Sequence, residues 1–335
     1  MEERRVRICD IAEELGLSTA TVSNVIHGKT KKVSDATVQR VTALLEERQY
    51  IPSMAGILLA QNDSKIIGVF VNDHEKYEGR TLSDFFIASS LNALSAQIEK
   101  SGRFMMLKQA KEAEQILRFA SMWNMEGVVV IGFCAQDYQT LRDHMRIPFV
   151  VYDGICGQTD RIVNLTIDNY GGAEQVGRHF RTLGHTRALC LSDNETGIDR
   201  DRIRGFFHGF APGHAELLRI PMQKQARWAC YERHLAQLQS VTAVFAVSDH
   251  YAIDLMGFLR GQKIPVPEAV SVAGFDDTQV CEMVCPTLTT VRQDAAARAR
   301  LAMEMLQALR ENRPVETEIR LPVELVVRDS TQIRK

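Results

Sequence analysis

Hydrophobic and polar positions change rhythm near Lys65. Before it, apolar residues recur only at helical spacing. Ile8, Ile11, Ala12 and Leu15 predict an amphipathic helix closed by Gly16. Val22, Val25 and Ile26, spaced i, i+3, i+4, predict a second helix over 19–27, with Ser18 as its N-cap and Gly28 as its stop. Val33-Ser34-Asp35 opens a third, with Ser34 as cap and Asp35 near the positive helix end. Val38, Val41 and Leu45 face inward on it, and Pro52 ends it. Three short helices with a tight turn between the first two have the layout of a helix-turn-helix unit.

From Lys65 onward, short apolar runs alternate with helix-length patterns. Strands are predicted over 66–71, 104–107, 127–131 and 148–152, then 188–191, 216–220, 243–246 and 271–274, with helices over 81–100, 170–183 and 248–260 among those between them. Near-continuous apolar strands alternating with helices imply parallel sheets covered on both faces. Two such series predict two doubly wound lobes, with any ligand at the carboxyl ends of the strands between them. No GxGxxG follows a strand, which argues against a nicotinamide enzyme. Gly28-Lys29-Thr30 is not a P-loop, because Ser23 stands where the leading glycine is needed and no strand precedes it.

The outward positions of the second helix are unusual for a solvated face, which would be richer in Glu and Lys. They are Thr19, Ala20, Ser23, Asn24 and His27, small hydroxyls and amides that approach phosphates and base edges closely in a major groove. Lysines collect just after them, at Lys29, Lys31 and Lys32. The formal net charge of the 335 residues is −2, so an attraction to nucleic acid has to be local. Seven scattered cysteines without a CxxC pair fit reduced thiols in a cytoplasmic protein. Cys281 and Cys285 form a CxxxC with no nearby His or Cys partner, so burial is the better reading there. No signal-peptide h-region and no membrane-length apolar run is present, and neither cofactor nor metal is expected.

RICDIAEELGLSTATVSNVIHG followed by VSDATVQRVTALLEERQYIPSMAGILLA resembles the headpiece of LacI/GalR transcription regulators. The resemblance runs the full length through KIIGVFV, VVVIGF, IPFVVYDG, LTIDNYGGAEQVGRHFRTLGH, DRIRGFFHGF, FAVSDHYAIDLMGFLRGQKIPVPEAVSVAGFDD, PTLTTVRQD and LPVELVVRDS. It implies an N-terminal all-α helix-turn-helix headpiece (1–52), a hinge helix and linker (53–64), and an α/β, periplasmic-binding-protein-like core of two doubly wound parallel-sheet lobes (65–335). The N-lobe would comprise about 65–165 and 290–322, the C-lobe about 166–289 and 323–335.

By the same resemblance, Thr19, Ala20 and Asn24 read bases, and Thr21 and Ser23 meet phosphates, with Ser18, His27 and Lys29 beside them. Met54, Leu59 and Ala60 belong to a hinge whose Leu59 wedges into the minor groove. Arg202 and Asp276 match effector-contacting positions, Phe85 and Phe86 an aromatic pair able to cover a ring, and Ser248 stands where the family usually has Asn. For Arg202 and Asp276 the alternative is a structural ion pair, while Asp168, Asp249 and Asp277 are ranked lower, as helix caps or turn residues. Arg7 replaces the usual hydroxyl cap of the first helix, and DHEKYEGRTLSD is longer than the corresponding loop of the family.

The expectation is a cytoplasmic, ligand-responsive repressor that binds a near-palindromic operator as a homodimer. A sugar or related metabolite would act as effector, with no membrane partner and no enzymatic activity. Ending at Lys335, the chain leaves no room for the C-terminal heptads of tetrameric members. The alternatives are a small-molecule (sugar) binding protein or a cleft enzyme using Asp276 and Asp277, without DNA function. Adjacent carboxylates usually diverge, and no nucleophile–base constellation accompanies them.

Overall fold

The computed structural model describes residues 6–51, 64–154 and 162–334, and the chain divides into two compact units at Ser64/Lys65. In the first unit, α1 (Ile8–Leu15), α2 (Thr19–Ile26) and α3 (Asp35–Glu47) enclose a small core of Ile11, Ala12, Val22, Val41 and Leu44. Gly16 takes the left-handed conformation (φ 65°) that stops α1. The Ser18 hydroxyl accepts the Thr21 N–H at 3.1 Å, and Ser34 does the same for Thr37 at 3.3 Å. Arg7 has no side-chain acceptor with which to cap α1, so Asp10 reaches back instead and accepts the Arg7 N–H at 2.8 Å.

Two details of this unit depart from the sequence reading. The third helix stops at Glu47, before Pro52, because Gln49 turns left-handed (φ 48°). Leu44 is buried on α3, whereas Val38 is only half-buried. Pro52 and the hinge residues Met54, Leu59 and Ala60 lie outside the described residues.

The second unit has two lobes. One is built on a six-stranded sheet ordered β11-β5-β4-β3-β1-β2, from β1 (Ile66–Asn72), β2 (Phe104–Ala110), β3 (Gly127–Ile131), β4 (Phe149–Tyr152), β5 (Ile162–Ile167) and β11 (Glu318–Leu321), all parallel. Alternation along each strand divides its side chains between two cores. On one face, Val69, Val129, Val150 and Tyr152 pack under α4 (Phe85–Lys100) and α12 (Ala295–Arg310). On the other, Phe70, Val130 and Phe149 pack under α5 (Ala113–Met122) and α6 (Ala135–His144). The helix read over 81–100 is a 3-10 turn, Thr81–Ser83, followed by α4, because Asp84 caps α4 by accepting the Phe86 and Ile87 N–H groups.

The other lobe centres on a parallel sheet ordered β7-β6-β8-β9, from β6 (Arg187–Ser192), β7 (His214–Arg219), β8 (Ala243–Ala246) and β9 (Ser271–Ala273). Its core is shared with α7 (Asn169–Thr182), α8 (Gly197–Phe210), α9 (Lys224–Arg233), α10 (Leu235–Ser240) and α11 (Asp249–Gly261). Helices α7 and α8 touch backbone to backbone. A Cβ added at Gly205 would lie 2.1 Å from the Tyr170 carbonyl oxygen, and one at Gly209 2.1 Å from that of Glu174. The chain passes between lobes after β5, after β10 (Thr290–Arg292) and after β11, and β12 (Glu324–Val326) returns to pair antiparallel with β10. No helix among the described residues is long and apolar enough to cross a membrane.

Candidate functional site

In the first unit, the packing of Val22 against α1 and α3 fixes which side of α2 is outermost. Thr19, Ala20 and Asn24 are exposed, as are Ser18 and Lys29, while Thr21, Ser23 and His27 are half-buried. Thr21 and Ser18 also share a hydroxyl–hydroxyl bond at 2.9 Å, so two of the hydroxyls that crowd this stretch fasten the start of the helix. Lys31 and Lys32 are exposed in the 3-10 turn that follows. The face that remains free is thus small and polar, bordered by cations.

In the second unit, the carboxyl ends of both sheets open onto one cleft of about 410 Å³, a volume suited to a small organic ligand. Phe85, Phe86, Arg202, Ser248 and Asp276 all line it. Arg202, 4% exposed, is held from three sides. Its Nε donates to Asn169 at 2.8 Å, its Nη1 donates to the Val247 carbonyl at 2.6 Å, and its guanidinium stacks 3.8 Å above the Phe275 ring. The Asp276 carboxylate lies 3.5 Å from the same Nη1 and accepts the side-chain amide of Gln293 from the crossing segment. Burial pushes the Asp276 carboxyl up to about 8, even beside Arg202, with Asp249 and Asp84 adding to the rise. The pairing of Arg202 with Asp276 and their lining of the cleft are both present, so one pair serves both geometries.

The remaining sequence candidates have visible local duties. The Ser248 hydroxyl caps α11 by accepting the Tyr251 N–H at 3.5 Å. Asp168 caps α7, and Asp277, in left-handed backbone (φ 52°), pairs with Arg292 and Arg328 at 2.6 and 2.7 Å. Asp249 is a buried acceptor for Thr278, Thr290 and Cys281, and its carboxyl is raised by burial. Cys281 is therefore a buried thiol bonded to a carboxylate, while Cys285 is exposed. Among the described residues no cluster of His, Cys, Asp or Glu could hold a metal ion.

Several lining residues escaped the sequence reading. The long loop before α4 bends through Glu75–Tyr77 and brings His74, Lys76 and Tyr77 to the cleft. It also spans the lobes, since Glu78 accepts the Lys224 N–H of α9 at 2.8 Å and Asp84 lies 3.8 Å from His250 of α11. Tyr152, Asp153, Asp193 and Tyr251 complete the walls. Asp153 and Asp193 are the first charged residues after apolar strands, a position that points to the carboxyl edge of a parallel sheet and could have flagged them.

Comparison with known proteins decides the family. Residues 7–53 match bacterial regulatory proteins of the lacI family, and residues 178–331 match a periplasmic binding protein-like domain. The transcriptional regulator GalR of Salmonella typhimurium strain LT2 is 30% identical over 319 residues, covering 90% of this chain and 89% of the relative. The chain belongs to the LacI family. This LacI-family protein is also 26% identical to the transcriptional repressor PurR of Vibrio vulnificus, over 97% of this chain and 98% of that one. Its fold is that of the Lac repressor, whose operator-bound dimer superposes with a TM-score of 0.82 at 22% identity, covering 98% of this chain and all of that one. The regulator CelR in complex with cellobiose superposes with a TM-score of 0.70 at 22% identity, over 97% of this chain and all of that one.

Proposed function

We propose that this LacI-family protein is a cytoplasmic, ligand-responsive transcription repressor. As a homodimer it binds a near-palindromic operator, and a sugar or related metabolite bound between the lobes changes that affinity. The observation that carries this reading is the presence, in one chain, of a helix-turn-helix with a small polar free face and a two-lobed cleft with Arg202 and Asp276 at its wall. Thr19, Ala20 and Asn24 reach base edges, while Ser18, Thr21, Ser23, His27 and Lys29 meet the backbone. One headpiece reads a short half-site, so a two-fold dimer supplies the second and sets the spacing between them. Phe85 and Phe86 cover one side of the effector, and Arg202, Ser248 and Asp276 fix its polar groups.

The effector switches the protein only through a difference in its affinity for two lobe arrangements. Lobe closure draws Phe85 and Phe86 toward Arg202 and Asp276, and in the dimer this changes how the two headpieces are presented.

The test is selection of operators from a random DNA pool with the full-length protein, followed by gel shift of the selected duplex with and without candidate metabolites. A palindromic consensus whose complex responds to a sugar or related metabolite is expected. Failure to enrich any sequence, or turnover of a metabolite in place of binding, overturns the proposal.

A further inference from the structure

The wall formed by the first lobe contains a polar group that the fold leaves unspent. Tyr152 is the last residue of β4, 3% exposed, and its ring packs in the core beneath α4 and α12. Its hydroxyl is buried, belongs to a residue that lines the cleft, and has no hydrogen-bond partner among the described residues. A buried hydroxyl without a partner costs free energy, so a ligand group that bonds it on binding recovers that cost. The ring is not free to swing away. The Arg298 guanidinium lies 4.1 Å over its face, and Arg298 is itself 2% exposed and anchored to Asp153 at 2.8 Å and to the Leu165 carbonyl.

The charge of the surroundings limits what the hydroxyl can receive. Among the described residues six aspartates line the cleft, at Asp84, Asp153, Asp193, Asp199, Asp249 and Asp276, with the cations Lys76 and Arg202; Arg298 offsets Asp153, and Asp276 keeps its proton up to about 8. Arg202 is already engaged by Asn169, Val247 and Asp276. A phosphorylated or carboxylated ligand would still meet more acidic groups than cations, with Asp84, Asp193, Asp199 and Asp249 against Lys76 and Arg202. A ligand hydroxyl meets the requirement on both sides, because it can accept from Tyr152 and donate to a neighbouring carboxylate.

We propose that Tyr152 is a specificity-determining residue of the cleft: its hydroxyl bonds a hydroxyl of a neutral, polyhydroxylated effector. This rests on the effector reading above. Burial raises the Tyr152 phenol above its usual range, so the group stays protonated and able to donate at any working pH.

The experiment uses full-length protein and Tyr152→Phe, which keeps the ring and removes only the oxygen. Titration calorimetry is run against neutral mono- and disaccharides, D-ribose and cellobiose among them, and against D-ribose 5-phosphate. The expected result has three parts. A neutral sugar binds the wild type, it binds Tyr152→Phe at least ~10-fold more weakly, and the ligand-free variant melts at or above the wild-type temperature, because no hydrogen bond has been lost.

Equal affinity of the two proteins for that sugar overturns the assignment, as does a lower melting temperature of the free variant, which would reveal a structural partner for the hydroxyl. Binding of the phosphorylated sugar alone, or of no neutral sugar, overturns it as well. Gel shift of ligand-free protein on its selected operator is read separately: its failure removes the regulator reading and leaves the Tyr152 measurement standing.

Discussion

The Gln293 side-chain amide donates to the Asp276 carboxylate, so the segment that crosses between the lobes is bonded to the carboxyl end of β9 in the second lobe. Gln293 also accepts from Arg298 at 3.4 Å, and Arg298 holds Asp153 at 2.8 Å in the first lobe. With Arg202 at 3.5 Å from Asp276, a continuous polar chain joins the two walls of the cleft. A change of protonation or geometry at Asp276 is therefore felt on both sides.

The pH dependence at Asp276 has a definite sign. The folded protein holds its proton up to about 8, while the unfolded chain releases it near the ordinary 3.8. Between those values unfolding releases a proton, so rising pH favours the unfolded state. The contribution is fully present below about pH 4 and is lost as pH rises toward 8. Asp276→Asn removes this titration. Urea unfolding of variant and wild type should show the variant gaining stability relative to wild type from pH 5 to pH 8.5, and a difference independent of pH would contradict the assignment. Asp276→Ala, in contrast, should abolish the effector response while leaving ligand-free operator binding intact in a gel shift.

Gly205 lies three residues after Arg202 on α8, where that helix meets the backbone of α7. Gly205→Ala forces its Cβ against the Tyr170 carbonyl, which has no flexible side chain to yield. Overpacking of this kind costs about 1–3 kcal/mol or more. Thermal unfolding should show that loss, and calorimetry should show weaker effector binding, because Arg202 moves with the helix.

Asn24 is exposed on α2 and can pair bidentately with adenine N6 and N7, whereas Arg prefers guanine. Asn24→Arg should change the preferred half-site, with a discrimination change of about 1–3 kcal/mol at one base pair. Operator selection repeated with the variant checks this. An unchanged consensus would mean that Asn24 does not read bases.

Sedimentation equilibrium of the ligand-free, full-length protein at micromolar concentration should give the mass of a dimer. A monomer would contradict the proposed arrangement on a palindromic operator, since a single headpiece buries little DNA.

What could be read from the sequence followed how far each element states its own environment. Strand β3 was legible to the residue, because Gly127–Ile131 is buried on both faces and continuously apolar. The helix starts at Ser18 and Ser34 were legible because each serine stands just before a helical apolar pattern, where its hydroxyl accepts the backbone N–H three residues on. Strand β5 was not read as a strand, since Asn164 interrupts its apolar run; that side chain is spent on the Gly154 backbone and Glu318. Strands β10 to β12 are three or four residues long and carry charged positions, so nothing local distinguishes them from loops. The residues Phe85, Phe86, Arg202, Ser248 and Asp276, far apart in the chain, line one cleft. Lys76 and Tyr152 did not announce themselves, because their roles come from a loop path and a missing partner rather than from a motif.

The placement of α12 and β11 has a consequence for how the protein is made. They complete the core and edge of the first lobe, yet they are encoded after the whole of α7 to β10. On the ribosome, strands β1 to β5 and helices α4 to α6 emerge first and must wait for most of the second lobe before α12, which shares one face with α4, exists. At about 5–20 residues per second, that interval lasts roughly 6 to 26 seconds, during which the seat of Ala299, Ala302 and Leu306 lies open on the nascent chain. Premature termination anywhere before residue 295 therefore disables the lobe that was synthesised first.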